Sequence, residues 1–222
     1  GGLICPAHSS TEIFDYLNKK YGKLKYDISE KDLDNLIDNY KYNRDEIKSR
    51  EEILYKEERA VSVIISFCIY ISKQKSFNFS RDFLKKLINC RLGSEFLLRN
   101  IKDVTLEDLE ITPSYFAKEM EAGRVIIVNC GVISSFFANG MKGGEIIILS
   151  CKRVGSNFAP NMIGGKIIIR NAGSSFFFGI GDNFAKNMQG GIINIQQLVL
   201  NKNHEIIEIT VEGRRGLKPA GI

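Results

Sequence analysis

Few stretches of the chain offer side chains suited to acid–base, nucleophilic or metal chemistry. Cys5-Pro6-Ala7-His8 sets a thiol and an imidazole close together. A zinc site needs three or four such ligands, and the only other histidine is His204. Asp182 could join Cys5 or His8 in a reactive group only if the fold brought them into one pocket. Cys130 and Cys151 occupy equivalent places in neighbouring repeats, a separation that would permit a disulfide. The count of five cysteines is odd and shows no short repeated spacing, which favours reduced thiols in a reducing, cytoplasmic compartment. Two distant histidines and scattered carboxylates make no catalytic constellation, so no catalytic, cofactor-binding or metal-binding residue is expected.

The stronger signal is repetition. Phe116-Ala117, Phe137-Ala138, Phe158-Ala159 and Phe184-Ala185 each lead to a methionine: Met120, Met141, Met162 and Met188. The last glycine of each copy is Gly123, Gly144, Gly165 or Gly191, and a short β-type run follows. The methionines lie 21, 21 and 26 residues apart. A period of about 20 residues with one strand per copy suits a stacked, solenoid-like arrangement. Equivalent residues then form ladders, with Phe and Met as core and the glycines at corners or close backbone approaches. A phosphate-cradling glycine loop is the rival reading, and fourfold repetition in fixed register argues against it.

Strand alternation assigns faces. Val125 and Ile127 point inward with their counterparts. Arg124, Glu145 and Lys166 point outward and alternate in sign, which avoids like-charged neighbours. Ile126, Ile147 and Ile168 share the outer side. Three stacked isoleucines facing water are an aggregation hazard, so they are expected to be covered by the helical region or by another chain. The longer third interval holds Phe176, Phe177 and Phe178, an aromatic insertion that suits either a contact surface or local filling of the core. After Ile195, residues 198–200, a turn at 201–204 and a run from Ile206 to Val211 predict a hairpin that caps the stack.

The first half is helical in pattern. Ser9 with Glu12 forms a capping box, and Ile13, Phe14 and Leu17 follow at helical spacing. Ser29 with Asp32 opens a second helix carrying Leu33, Leu36 and Ile37. A third is expected from Asn43 to about Lys73, charged at first and apolar from Val61 to Ile71. Ser80 with Asp82 opens a fourth, carrying Phe83, Leu84, Leu87 and Ile88. The longest apolar run, from Ala60 to Ser72, is shorter than the roughly 20 residues a membrane span needs. The net charge of +5 is spread over both halves, and the helix at 81–89 has no dense row of base-reading side chains. A nucleic-acid surface is therefore not expected.

The run Gly155-Ser156-Asn157-Phe158-Ala159-Pro160-Asn161-Met162-Ile163-Gly164-Gly165-Lys166-Ile167-Ile168-Ile169 resembles the Gly-x-x-x-Ala/Gly-x-x-Met-x-Gly-Gly-x-Ile repeat of the GXGXG domain. Residues 181–195 match it again. That domain is known from the C-terminal part of the large glutamate synthase polypeptide and from one component of formylmethanofuran dehydrogenase. The resemblance spans about residues 105–200 and departs at Pro113, Ser114 and Ser134. It implies a right-handed parallel β-helix that serves as a spacer and packing element, with the chemistry on other domains or subunits. The expected fold is therefore α+β: a helical domain over 1–104, a β-helix with its hairpin cap over 105–212, and a flexible tail over 213–222. The expected role is a non-catalytic scaffold that binds a protein partner or forms a homo-oligomer, associated with a larger redox enzyme. A stand-alone enzyme, or a regulator binding a small molecule or nucleic acid through the helical domain or the interdomain cleft, is the alternative.

Overall fold

The computed structural model describes residues 9–46, 51–92, 95–99, 103–171, 183–198 and 206–212. Four helices precede most of the sheet: α1 (Ser10–Tyr21), α2 (Glu30–Glu46), α3 (Glu51–Ile71) and α4 (Arg81–Asn89), with β1 (Ser76–Phe79) before α4. The remaining strands are β2 (Asp103–Ile111), β3 (Arg124–Ile133), β4 (Glu145–Ile148), β5 (Cys151–Val154), β6 (Lys166–Ile169), β7 (Ile192–Leu198) and β8 (Ile206–Glu212).

All eight strands belong to one sheet, in the order β1-β2-β3-β4-β6-β7-β8, with β5 beside the second half of β3. Every pairing is parallel except that of β7 with β8. This corrects the expected fold class. The sheet is not curled and no β-helix is shown; a mostly parallel sheet with helices is an α/β arrangement. The sheet also takes in β1, between α3 and α4, so helices and strands are not separate successive blocks. A regular period fixes which residues of successive strands lie side by side. It does not fix how a sheet closes, and an uncurled parallel sheet satisfies the same register.

That register is carried by the repeat. Arg124 lies beside Glu145, which lies beside Lys166 and then Ile192. The inward rows are Val104-Val125-Ile146-Ile167-Ile193 and Leu106-Ile127-Ile148-Ile169-Ile195, all of them buried. The connections between strands stack as well. The rings of Phe116, Phe137, Phe158 and Phe184 lie 6.0, 6.0 and 5.4 Å apart, centroid to centroid, near parallel. Backbone hydrogen bonds join successive connections: Ala138 N–H donates to Phe116 O, Ala159 N–H to Phe137 O and Ala185 N–H to Phe158 O. Met120, Met141 and Met162 are buried beneath them.

The paired glycines have distinct tasks. At Gly164 a Cβ would lie 2.4 Å from Lys142 O, so the backbone there runs against the previous layer. At Gly165, φ is +88°, and a Cβ would lie 2.6 Å from the Met141 methyl. The first glycine thus admits a neighbouring backbone, and the second both turns the chain and makes room for a methionine.

The helices start where their caps dictate. The Ser9 hydroxyl accepts from Glu12 N–H while Ser9 N–H donates to the Glu12 carboxylate. Ser80 caps α4 by accepting from Phe83 N–H. Asn43–Glu46 belong to α2 rather than opening α3. One continuous core runs from Leu33 and Ile37 of α2, through Ile65, Ile69, Phe77, Phe83 and Leu87, to Ile193 and Ile195 of β7. A second cluster joins α1 to α3 through Phe14, Phe67 and Ile71.

Gly165→Ala is expected to destabilise the protein clearly more than Gly140→Ala. Gly140 is also left-handed, but an added Cβ there meets only the Glu119 side chain, at 3.6 Å, so its cost is about 1–2 kcal/mol of backbone strain. Phe137→Ala, which empties the middle of the ring stack, is expected to cost about 3–5 kcal/mol. Urea unfolding of the three variants checks both statements.

Candidate functional site

The densest polar cluster is where α1 meets the first connection. Arg99 is its centre, with a side chain only 11% exposed. Its guanidinium donates to Asp15 at 2.6 Å and to Glu119 at 2.9 Å, and lies 5.2 Å from the centre of the Phe14 ring. Thr11 Oγ1 donates to the other Glu119 oxygen at 2.7 Å. Lys142, from the next layer, lies 3.6 Å from Glu119 and 3.4 Å from Glu121. Beside this network, Lys118 donates to Glu95, and Ser10 Oγ donates to the same carboxylate oxygen at 2.6 Å.

Segment 95–99 makes this possible by lying on the first connection as one more layer. Lys118 N–H donates to Phe96 O, and Glu121 N–H to Leu98 O. The Phe96 ring stacks on Phe116 at 4.8 Å. The charged side chains then project from stacked backbone towards the first turns of α1.

Burial alone would raise the Glu119 pKa. Hydrogen bonds from Thr11 and Arg99, and the charges of Arg99 and Lys142, outweigh it and hold the carboxyl below the usual 4.5. A carboxylate so engaged is a poor proton carrier near neutral pH, and the cluster reads as an electrostatic clasp between α1 and the sheet connections.

The thiols are no more reactive. Cys130 and Cys151 are register partners, buried and free. Burial pushes Cys130 up to about 11 and Cys151 up to about 12. Cys130 donates weakly to Val132 O. Cys68 is likewise raised to about 11 by burial. Among the described residues, no group of three or more His, Cys, Asp and Glu is arranged to hold a metal ion.

The sequence-derived contact residues fall on the outward face of the sheet. Ile126, Ile147 and Ile168 form one in-register row with Thr105 and Asn194, and all three are half-buried. Arg124, Glu145 and Lys166 form the next row, which Asp103 extends. Arg124 reaches Asp103 at 3.2 Å, and Lys166 reaches Glu145 at 3.9 Å. Phe176, Phe177, Phe178, Asp182, Cys5, His8 and His204 lie outside the described residues, as do the turn at 201–204 and the tail from 213. No helix among the described residues is long and apolar enough to cross a membrane.

Sequence reasoning missed Arg99, Glu95 and Glu119. A signal was present in the repeat itself. Where later copies carry Asn139-Gly140, Pro160-Asn161 and Lys186-Asn187, the first carries Lys118-Glu119. That departure marks the layer met by α1. No protein-family model, no curated protein and no solved structure matches the chain.

Because the folded Glu119 pKa is depressed, its contribution is full above about 4.5 and is lost as the pH falls through the lower folded value. The stability of Glu119→Gln is therefore expected to fall less steeply than the wild type's in that acid range. Arg99→Ala is expected to cost about 2–3 kcal/mol, since it removes the charged donor shared by Asp15 and the partly buried Glu119. Native Cys130 and Cys151 are expected to resist iodoacetamide at mildly alkaline pH and to react on unfolding, as read by mass spectrometry.

Proposed function

We propose that the protein is a non-catalytic scaffold that docks onto a larger enzyme of redox type, similar to glutamate synthase or formylmethanofuran dehydrogenase. The observation that carries this reading is the outward face of the sheet. There the half-buried row Ile126-Ile147-Ile168 runs beside the charged row Asp103-Arg124-Glu145-Lys166. Ordered apolar residues edged by alternating charge suit recognition of another protein surface.

Two further features support it. The carboxylates of the Arg99 cluster are held in ion pairs, and the thiols at Cys130 and Cys151 are held protonated. The spacing of Phe, Ala, Met and paired Gly, similar to that of GXGXG proteins, supports the type of partner. We place the protein in a reducing, cytoplasmic compartment, which suits its buried free thiols. A protein fits the surface better than nucleic acid, because its basic residues are interleaved with acidic ones.

The test is affinity isolation of the tagged full-length chain from native extract, with mass spectrometry of what accompanies it. Stoichiometric recovery of a flavin, iron–sulfur, molybdenum or tungsten enzyme is expected. Ile147→Asp should lose that enzyme while keeping its own circular dichroism spectrum. Recovery of the bare chain overturns the proposal.

A further inference from the structure

Two outward rows cross β2, β3, β4 and β6 in register, and a third continues just past the ends of β4 and β6. The first is Asp103-Arg124-Glu145-Lys166 and the second Thr105-Ile126-Ile147-Ile168. The third is Glu107-Val128-Leu149-Arg170. Glu107 pairs with Val128, and the ladder runs on through Leu149 N–H to Ile127 O at 2.9 Å and Arg170 N–H to Ile148 O at 2.7 Å. Glu107 and Arg170 are exposed, and Val128 and Leu149 are half-buried.

The first and third rows read as their own complement when reversed about their midpoint, between β3 and β4. Reversal sets Asp103 against Lys166 and Arg124 against Glu145. In the second row it sets Ile126 against Ile147 and Thr105 against Ile168. In the third it sets Glu107 against Arg170 and Val128 against Leu149. The two charged rows share one centre, and there the second row sets isoleucine against isoleucine.

We infer that this face is the interface of a homodimer, in which a second copy of the chain packs face to face about a two-fold axis running parallel to the strands between β3 and β4. Such an axis reverses the strand order of the partner while keeping each row at its own level, which is the operation the rows complement. An isologous interface requires this self-complementarity. A two-fold running across the strands through the isoleucine row would instead oppose Asp103 to Glu107 and Lys166 to Arg170. In the chosen arrangement Ile126, Ile147, Val128 and Leu149 from each copy surround the axis, and the charges ring them. Packed sheets stand about 10 Å apart, which branched aliphatic side chains fill. Arg124 and Lys166 keep their neighbours Asp103 and Glu145 and gain a partner across the interface.

This inference rests on the docking reading, and deepens it by naming what covers the outward face. The larger enzyme, which docks on this same face, then displaces the second copy. Its test uses the purified full-length chain alone, so a monomeric chain overturns the inference while leaving recovery of an enzyme partner open. A dimer without an enzyme partner does the reverse.

The experiment is sedimentation equilibrium at low salt over a wide range of concentration. The wild type is expected to dimerise, more weakly as salt is raised. Arg124→Glu and Glu145→Arg are each expected to weaken the dimer at least about tenfold, because each opposes like charges across the axis. Mixed in equal amounts, the two variants are expected to form a heterodimer close to wild-type affinity, since Glu at 124 of one copy then faces Arg at 145 of the other, and the native Glu145 of the first faces the native Arg124 of the second. Repacking within one chain cannot produce a gain that appears only on mixing. Glu107→Arg mixed with Arg170→Glu follows the same logic at an exposed pair, should the first pair fold poorly. A wild type that stays monomeric, variants that dimerise undiminished, or mixtures no tighter than their components would each overturn the inference.

Discussion

Successive layers of the chain can approach to strand spacing because Gly144, Gly165 and Gly191 carry no side chain where Met120, Met141 and Met162 end. The methionine needs depth, and the glycine of the next layer supplies it by giving up its Cβ. Once that contact is made, strand register, ring stacking and connection hydrogen bonds follow at the same interval. The stack is therefore a set of mutually consistent choices rather than a sum of separate contacts. Each fully buried Phe or Ile adds about 1.5–3 kcal/mol of transfer free energy, and the ladders repeat that contribution layer after layer.

The helical part completes the stack rather than standing beside it. β1 adds a strand next to β2, segment 95–99 adds a layer next to the first connection, and α1 closes over that layer through Arg99 and Glu119. The end of a stack exposes backbone donors and acceptors that the next layer would otherwise satisfy. Here Phe96 O and Leu98 O take up Lys118 N–H and Glu121 N–H. The ion pairs then fix the side on which α1 sits.

What could be read from sequence follows from range. The capping box at Ser9 and Glu12 is a local signal, since its two hydrogen bonds span three residues. Strand register between Val125, Ile146 and Ile167 was legible because each copy writes the same pattern. The closure of the sheet was not legible, because the pattern describes neighbours and says nothing of curvature. β1 was missed because Ser76-Phe77-Asn78-Phe79 is too short to show a period, and its pairing with β2 accompanies the burial of Phe77 and Phe79. The Arg99 cluster joins residues up to 108 positions apart, beyond any spacing rule.

The reversal of direction at β8 bears on what this chain cannot become. A unit whose top resembles its bottom is a building block for a fibre, since any copy can extend any other. From β1 to β7 each strand receives its neighbour in the same direction. β8 runs antiparallel along β7 from Ile192 to Leu198, and so occupies the edge that a further parallel layer would need. The run of parallel layers among the described residues therefore ends at β7.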